Sequence, residues 1–326
     1  MKKILYSPGE PAGIGPDLII QLSKSAFWTD IKIPILCLSD PKLLVQRSKD
    51  LGKKITCKEV TDIKQLQANK KNVIQVMHVS DCQNTKFGKL YKTNAQYVLD
   101  NLQFGIDAAL KDKNLALVTG PISKENIISV NKTFTGHTEY IQQRTESDKV
   151  LMLLASDQLK VALATTHVPL KEVANKICKE LVISKAITLN QGLKEKFKIK
   201  NPNIKLLALN PHSGEGGKIG KEEIDIIIPA VKELRKKKIN ISYPISADTA
   251  FTKKNLKKTD AFLGMYHDQV LPVIKALSFG NAINITLGVP ITRTSVDHGV
   301  ALDISGTGKS DTSSLKAAIK TAKKII

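Results

Sequence analysis

The sequence predicts an α/β protein with a largely parallel sheet. Short apolar runs alternate with longer amphipathic stretches along the whole chain. Loops containing glycine or proline follow several of those runs, as expected where strands hand over to helices. Hydrophobic residues make up 42% of the 326 positions and aromatics only 5%, so aliphatic side chains carry the core. That length suits about two domains or one large α/β unit.

In chain order, Lys3–Ser7 reads as the first strand and leads into PGEPAGIGPD. There Gly9, Gly13 and Gly15 permit tight turns, and Pro16 suits the first turn of a helix over 17–22. This GxG lacks the third glycine of a dinucleotide fingerprint and reads at least as well as a structural turn. Residues 33–38 form a second strand and 41–48 begin a helix. Between 52 and 89 the pattern is irregular and lysine-rich, with one strand at Val73–Met77; His78 there carries no chemistry. Val98, Leu102, Ile106 and Leu110 recur every four residues and give a helix with one apolar stripe. Leu115–Thr119 is a strand running into GPISKENI, a turn that, with Lys124, either lines a cleft or is only a turn.

FTGHTEYIQQRT follows. His137 and Thr138 stand at a helix start, where free N–H groups favour an anion, although Thr138 reads equally as an N-cap. Residues 150–155 and 161–165 resemble a hairpin whose second strand delivers His167. Helical segments run to Phe197, and a strand at 204–209 delivers His212 in the loop NPHSGEGGKIGKEE. Glu222 and Glu223 open the next helix, where negative charge is favoured. Residues 239–245 lead to SADTAF with Asp248, and the apolar run 261–266 ends on His267 and Asp268. Residues 312–326 close the chain as a lysine-studded helix.

A formal charge of +20 raises nucleic acid or an anionic surface as a partner. The excess is scattered lysine, however, with only Arg47, Arg144, Arg235 and Arg293 as arginines and no aromatic stacking series, so neither nucleic acid nor membrane is expected. Cys37, Cys57, Cys82 and Cys178 form no CxxC. No apolar run reaches membrane-spanning length, and the expected location is the cytoplasm.

Three histidines, His167, His212 and His267, each follow a separate apolar strand. In an open α/β sheet the carboxyl ends gather at one edge, so residues distant in sequence can meet there. Three imidazoles around an open position suit Zn²⁺ at about 2.0–2.1 Å, and singly each reads as an ordinary loop histidine. Lys275 and Arg293, with His137 and Thr138, form a second set suited to a phosphate or carboxylate. SGTGKS, residues 305–310, looks like the end of a P-loop but has Asp303 where glycine is required. Its glycines Gly306 and Gly308 beside Asp303 could still hold a dinucleotide by backbone contacts.

Eight ordered segments, GEPAGIGPDL, LVTGPISK, FTGHTEY, TTHVPL, NPHSGEGGKIGKEE, SADTAF, GMYHDQ and RTSVDHGVALDISGTG, resemble the 4-hydroxythreonine-4-phosphate dehydrogenases of vitamin B6 biosynthesis. The resemblance implies a two-domain α/β/α fold similar to isocitrate and isopropylmalate dehydrogenases, with an active-site cleft between domains spanning 1–129 plus 260–326 and 130–259. It implies a homodimer that oxidises a small phosphorylated substrate with NAD or NADP and one divalent metal, zinc ahead of magnesium or cobalt. Metal binding carries over to His167, His212 and His267, and substrate binding to His137, Thr138, Lys275, Asn284 and Arg293. Cofactor contacts carry over to Asp297, His298, Asp303, Gly306 and Gly308. Asp248 or Lys275 is the expected proton carrier. Two other readings stand beside this one: a related dehydrogenase of threonate or erythronate phosphate, and a zinc hydrolase using the same histidines.

Overall fold

A computed structural model describes residues 1–278 and 280–326. Its strands are β1 (Lys3–Ser7), β2 (Ile35–Leu38), β3 (Thr56–Glu59), β4 (Val73–Met77), β5 (Leu115–Thr119), β6 (Leu151–Ala155), β7 (Lys160–Leu163), β8 (Ile204–Leu206), β9 (Ala261–Gly264), β10 (Ile283–Leu287) and β11 (Thr292–Val296). The chain divides into two compact units, Met1–Glu146 with Pro290–Ile326, and Ser147–Val289. These breaks fall later than the expected ones near 130 and 260. The helix His137–Arg144 stays with the first unit, where Arg144 forks onto Asp107 at 3.1 and 2.9 Å. Residues 260–289 stay with the second because β9 pairs with β7 and β8, and β10 pairs with β6.

In the first unit the strands run β3-β4-β2-β1-β5-β11, every pair parallel. β1 lies inside this sheet, and Ile4, Leu5 and Tyr6 are fully buried, which is why it reads as a continuous apolar run rather than an alternating one. The helix Ala95–Lys111 covers the sheet through Val98, Leu102 and Ile106. Leu110, the last member of the expected stripe, is exposed, and Ala109 takes the buried place. A four-residue spacing advances about 400° on a helix with 3.6 residues per turn, so a stripe so spaced rotates off the core within three steps. Gly105 on the same helix lets it lie close to the sheet, since a Cβ there would meet Leu117 Cδ1 at 2.7 Å.

The second unit runs β10-β6-β7-β9-β8. The β10/β6 and β6/β7 pairs are antiparallel, giving the expected hairpin, and β7/β9 and β9/β8 are parallel. Residues 239–245 form no full strand; they meet β8 and its extension through the isolated bridges Ile204↔Ile241 and Leu207↔Ile245 and through Ser242 Oγ, which accepts from Leu206 N at 3.1 Å. Phe262, Val161, Leu163, Leu207, Val270 and Ile274 make the core of this region. Among the described residues no helix is long and apolar enough to cross a membrane.

One buried ion pair fixes how the loops of the first unit meet. Asp17, in the first turn of the helix Gly15–Ser23, pairs with Arg47 on the helix Pro41–Asp50, and both are almost wholly buried. The guanidinium also donates to Pro11 O at 2.8 Å, Gly13 O at 3.1 Å and Ser305 Oγ at 3.0 Å. Asp17 accepts from Gly306 N at 2.7 Å. Burial raises the Asp17 carboxyl above its ordinary pKa, although Arg47 and the Gly306 N–H pull it the other way. Arg47→Met would leave that carboxylate buried without its cation. Urea unfolding should show a loss of about 3–5 kcal/mol, of which Arg47→Lys restores only part because an ammonium cannot reach four acceptors in a fork.

Candidate functional site

β7, β9 and β8 are parallel neighbours, so their carboxyl ends open on the same edge of the second unit. His167 lies four residues beyond Leu163, His267 three beyond Gly264, and His212 six beyond Leu206. The pairing continues past the strands: Ala164 N donates to Gly264 O at 2.8 Å, and Thr165 donates to Met265 O through its N–H at 3.1 Å and its hydroxyl at 2.7 Å. Gln269 ties two of the strand ends together. Its Oε1 accepts from Met265 N at 2.7 Å while its Nε2 donates to Ala208 O at 2.6 Å. On this framework the rings of His167 and His267 come to 5.9 Å between centroids. His267 opens the helix His267–Leu277, with Nδ1 against Asp268 Oδ1 at 2.7 Å, an orientation that turns Nε2 to other partners.

His212 sits in an unusual turn. From His212 to Gly217 every residue has positive φ, including the non-glycines His212 (50°), Ser213 (55°) and Glu215 (46°). Left-handed backbone costs about 1–2 kcal/mol per non-glycine residue, so this turn needs external support. Buried Glu223 supplies it. One oxygen accepts from Leu209 N at 2.8 Å and Asn210 N at 2.9 Å, and the other accepts from Asn210 Nδ2 at 2.9 Å. Asp248, exposed at the start of the short helix Ala247–Ala250, is held below its ordinary pKa by the Ser246 hydroxyl and, further down the order of causes, by His212. Asp248 and His212 are thus electrostatic neighbours.

In the first unit, β11 carries Arg293, 2% exposed and opposite Leu117 of β5. Its Nη2 and Nε donate to Thr119 Oγ1 at 2.8 and 3.2 Å. Burial lowers its pKa to about 10, with Glu139 acting in the opposite sense, so it stays cationic at neutral pH. His137 begins the helix His137–Arg144 and is pushed well below its ordinary pKa, by burial first and then by the charges of Arg293 and Lys124. Gly136 is the N-cap of that helix and offers no side chain to it, which removes the reading of Thr138 as a cap. The first N–H groups of a helix lack intrahelical partners, and here they stand beside Arg293 and His137.

Of the remaining expected substrate residues, both in the second unit, Lys275 is exposed on the helix His267–Leu277. Asn284, opposite Leu154 in β10, has a buried Oδ1 with no hydrogen-bond partner among the described residues. A buried amide oxygen left this way is suited to accept from a ligand's amine or hydroxyl.

The segment after β11 folds back on the first loop of the chain. Ile14 N donates to Val300 O at 3.1 Å and Ser305 Oγ to Gly13 O at 2.9 Å. A Cβ on Gly13 would collide with Val300, so the GxG of the first loop serves close packing, as its structural reading requires. Gly306 has φ 75°, and a Cβ there would meet the Phe87 ring at 2.5 Å. Gly308 shares that backbone conformation, Asp303 is exposed, and the N–H of Asp297 donates to Ser314 Oγ at 3.1 Å. His298 Nδ1 lies 3.0 Å from Gly299 O while its Nε2 is buried with no hydrogen-bond partner among the described residues. That orphan nitrogen fits a site built to receive a further donor or acceptor.

Asp40, His78 and Asp81 in the first unit are the described trio of metal-type side chains whose ligand atoms all lie within 4.8 Å of one another. Asp40 is already committed to the backbone, capping the helix Pro41–Asp50 through Lys42 N at 2.8 Å and holding Cys82 N at 3.1 Å. His78 and Asp81 pair at 3.2 Å on the surface. No motif in the sequence marks the supporting roles of Arg47, Asp17, Glu223, Gln269 and Thr119. The only signal was that Arg47 is one of four arginines in a chain that otherwise uses lysine.

A profile of the family described as pyridoxal phosphate biosynthetic protein PdxA matches residues 30–322. The curated 4-hydroxythreonine-4-phosphate dehydrogenase of Erwinia tasmaniensis is 42% identical over 321 residues, 98% of this chain and 96% of that protein. The one of Serratia proteamaculans is 42% identical over 324 residues, 99% and 97% respectively. Among solved structures, the 4-hydroxythreonine-4-phosphate dehydrogenase of Klebsiella pneumoniae superposes with a TM-score of 0.91 at 29% identity, covering 100% of this chain and 99% of that one.

Two outcomes follow from the geometry. Glu223→Gln puts an amide N–H₂ where a carboxylate oxygen accepted, facing Asn210 Nδ2 as donor against donor. It should cost about 1–3 kcal/mol and speed hydrogen exchange across residues 209–217, and unchanged exchange there would remove Glu223 as the anchor. His137 has a depressed folded pKa, so its contribution to stability is present above its ordinary value of 6.5 and is lost as pH falls through the folded pKa. Wild-type protein should therefore lose more stability than His137→Asn in acid, as denaturant midpoints on either side of that range would register.

Proposed function

Because the chain belongs to the PdxA family, we propose that it oxidises 4-phosphooxy-L-threonine with NAD or NADP to 2-amino-3-oxo-4-phosphooxybutanoate. That product loses CO₂ to give 3-amino-2-oxopropyl phosphate for vitamin B6 synthesis. The observation that carries this reading is the delivery of His167, His212 and His267 to one edge by three neighbouring parallel strands. Three imidazoles without a thiolate suit a divalent ion with an open position, and zinc over magnesium. These three side chains would hold the ion. When bound, the metal supplies Lewis acidity and the nicotinamide supplies the hydride acceptor.

The chain's own residues do the remaining work. Arg293, His137 and Thr138 bind an anionic end of the substrate through charge and helix-start N–H groups. Asn284 Oδ1, buried and unsatisfied, accepts from the substrate's amine, and Lys275 provides a second cation. Asp248 is the proton acceptor for the alcohol: it is ionised, exposed and electrostatically coupled to His212. Lys275 is the other candidate for that proton. Oxidation places the new ketone β to the carboxylate, so the electrons released with CO₂ have a carbonyl to enter. The turn from Asp297 through Gly308 forms the cofactor side, with Asp303 toward the ribose hydroxyls, His298 Nε2 as a polar contact and Gly306 and Gly308 admitting close backbone approach. The same reading includes a homodimer and a cytoplasmic enzyme.

Purified protein given substrate, NAD or NADP and a divalent metal should generate reduced-nicotinamide absorbance. Alanine at His167, His212 or His267 should cost more than the roughly 10–100-fold seen when only an outer partner of a metal ligand is removed. A strong preference for threonate or erythronate phosphate would change the substrate, and metal-dependent hydrolysis without any reduced cofactor would displace the dehydrogenase.

A further inference from the structure

Lys124 begins the short helix Lys124–Ile128 directly after β5 and its turn. The backbone there is well fixed. Ser123 Oγ caps the helix by accepting from Asn126 N at 3.3 Å, and Asn126 Nδ2 reaches Glu10 Oε2 at 3.2 Å and Tyr91 O at 3.4 Å. The side chain itself is exposed and has no ion-pair or hydrogen-bond partner among the described residues. It nevertheless leans over the start of the next helix. A Cβ built on Gly136 would lie 3.6 Å from both Lys124 Cε and Nζ, and 2.8 Å from Glu139 Oε2. The Lys124 charge is felt by the His137 ring, whose pKa it helps to lower.

From these positions we infer that Lys124 is a direct ligand of the substrate's phosphate, sharing it with Arg293, His137 and the helix-start N–H groups. The identity of the substrate is taken from the dehydrogenase reading above; the binding of an anion at Lys124 is not. Charge decides for phosphate over carboxylate. With His137 neutral, the local groups are two cations, Lys124 and Arg293, against the single carboxylate of Glu139, which is exposed and can turn to solvent. A group of two cations and several N–H donors matches a dianion with three terminal oxygens, whereas a monoanion would leave donors unused. Arg293 is anchored by Thr119 and cannot travel far, so the adaptable donor is the flexible ammonium of Lys124.

The test titrates inorganic phosphate, and in parallel acetate, into the full-length protein while following the His137 ring resonances, assigned with His137→Asn. Lys124→Met should weaken phosphate binding about tenfold or more, Lys124→Arg should keep it within about threefold, and Glu139→Gln should bind at least as tightly as wild type. With the phosphorylated substrate, Lys124→Met should raise KM by much more than it lowers kcat. Circular dichroism checks that each variant is folded, and the exposed side chain gives no reason for it not to be. Wild-type affinity for phosphate in Lys124→Met overturns the inference. So does an equal loss for acetate, which would make the subsite a carboxylate one, and so does absence of phosphate binding to the wild type. If Lys124→Met loses phosphate in a protein that never reduces nicotinamide, the dehydrogenase reading fails and the Lys124 subsite stands.

Discussion

The buried pair of Arg47 and Asp17 is the interaction on which the loops of the first unit depend. Two ions taken out of water are costly, and their attraction compensates only when every remaining donor and acceptor is satisfied. Here Arg47 reaches Asp17, Pro11 O, Gly13 O and Ser305 Oγ, and Asp17 also takes Gly306 N. Three stretches far apart in sequence, the first loop, the helix Pro41–Asp50 and the turn around 304–308, are thereby tied at one point. A planar guanidinium can serve four oxygens at fixed angles, which an ammonium cannot. Glycine at 13 and 306 is the corollary, because both backbones come so near to Val300 and Phe87 that no side chain fits.

The second unit solves a related problem with neutral and singly charged groups. Gln269 holds two strand ends together through both ends of its amide, and Glu223 holds the left-handed turn that carries His212. In both cases a buried polar side chain satisfies backbone groups that the sheet has left behind.

Much of this fold was legible. Buried parallel strands announce themselves as apolar runs, and β1, β4, β5 and the β6/β7 hairpin follow them closely. β3 was not seen because Thr56–Glu59, TCKE, is a mostly exposed edge strand with no apolar signature. Residues 239–245 misled in the opposite way, being apolar enough for a strand while making only two bridges. The placement of the three histidines after strands could be read, since strand direction and sheet edge follow from the α/β rhythm. Their supports could not, because a buried Glu223 or Arg47 looks in sequence like any charge on a solvated helix, and only tertiary packing selects one from the rest.

The six histidines show how far environment, rather than residue type, sorts chemical roles. His78 is paired with Asp81 on the surface, a contact of little energetic weight. His137 is half-buried beside Arg293 and Lys124, and burial together with those charges holds it well below its ordinary pKa, so it stays neutral. His298 has one ring nitrogen against a carbonyl and the other buried without a partner. His167 and His212 are exposed and His267 is half-buried, and all three lie beyond strand ends. The same side chain is thus a surface partner, an uncharged neighbour of a guanidinium, a ring with one buried unpartnered nitrogen, or a group set just beyond a strand end, according to what the strands and their buried anchors place around it.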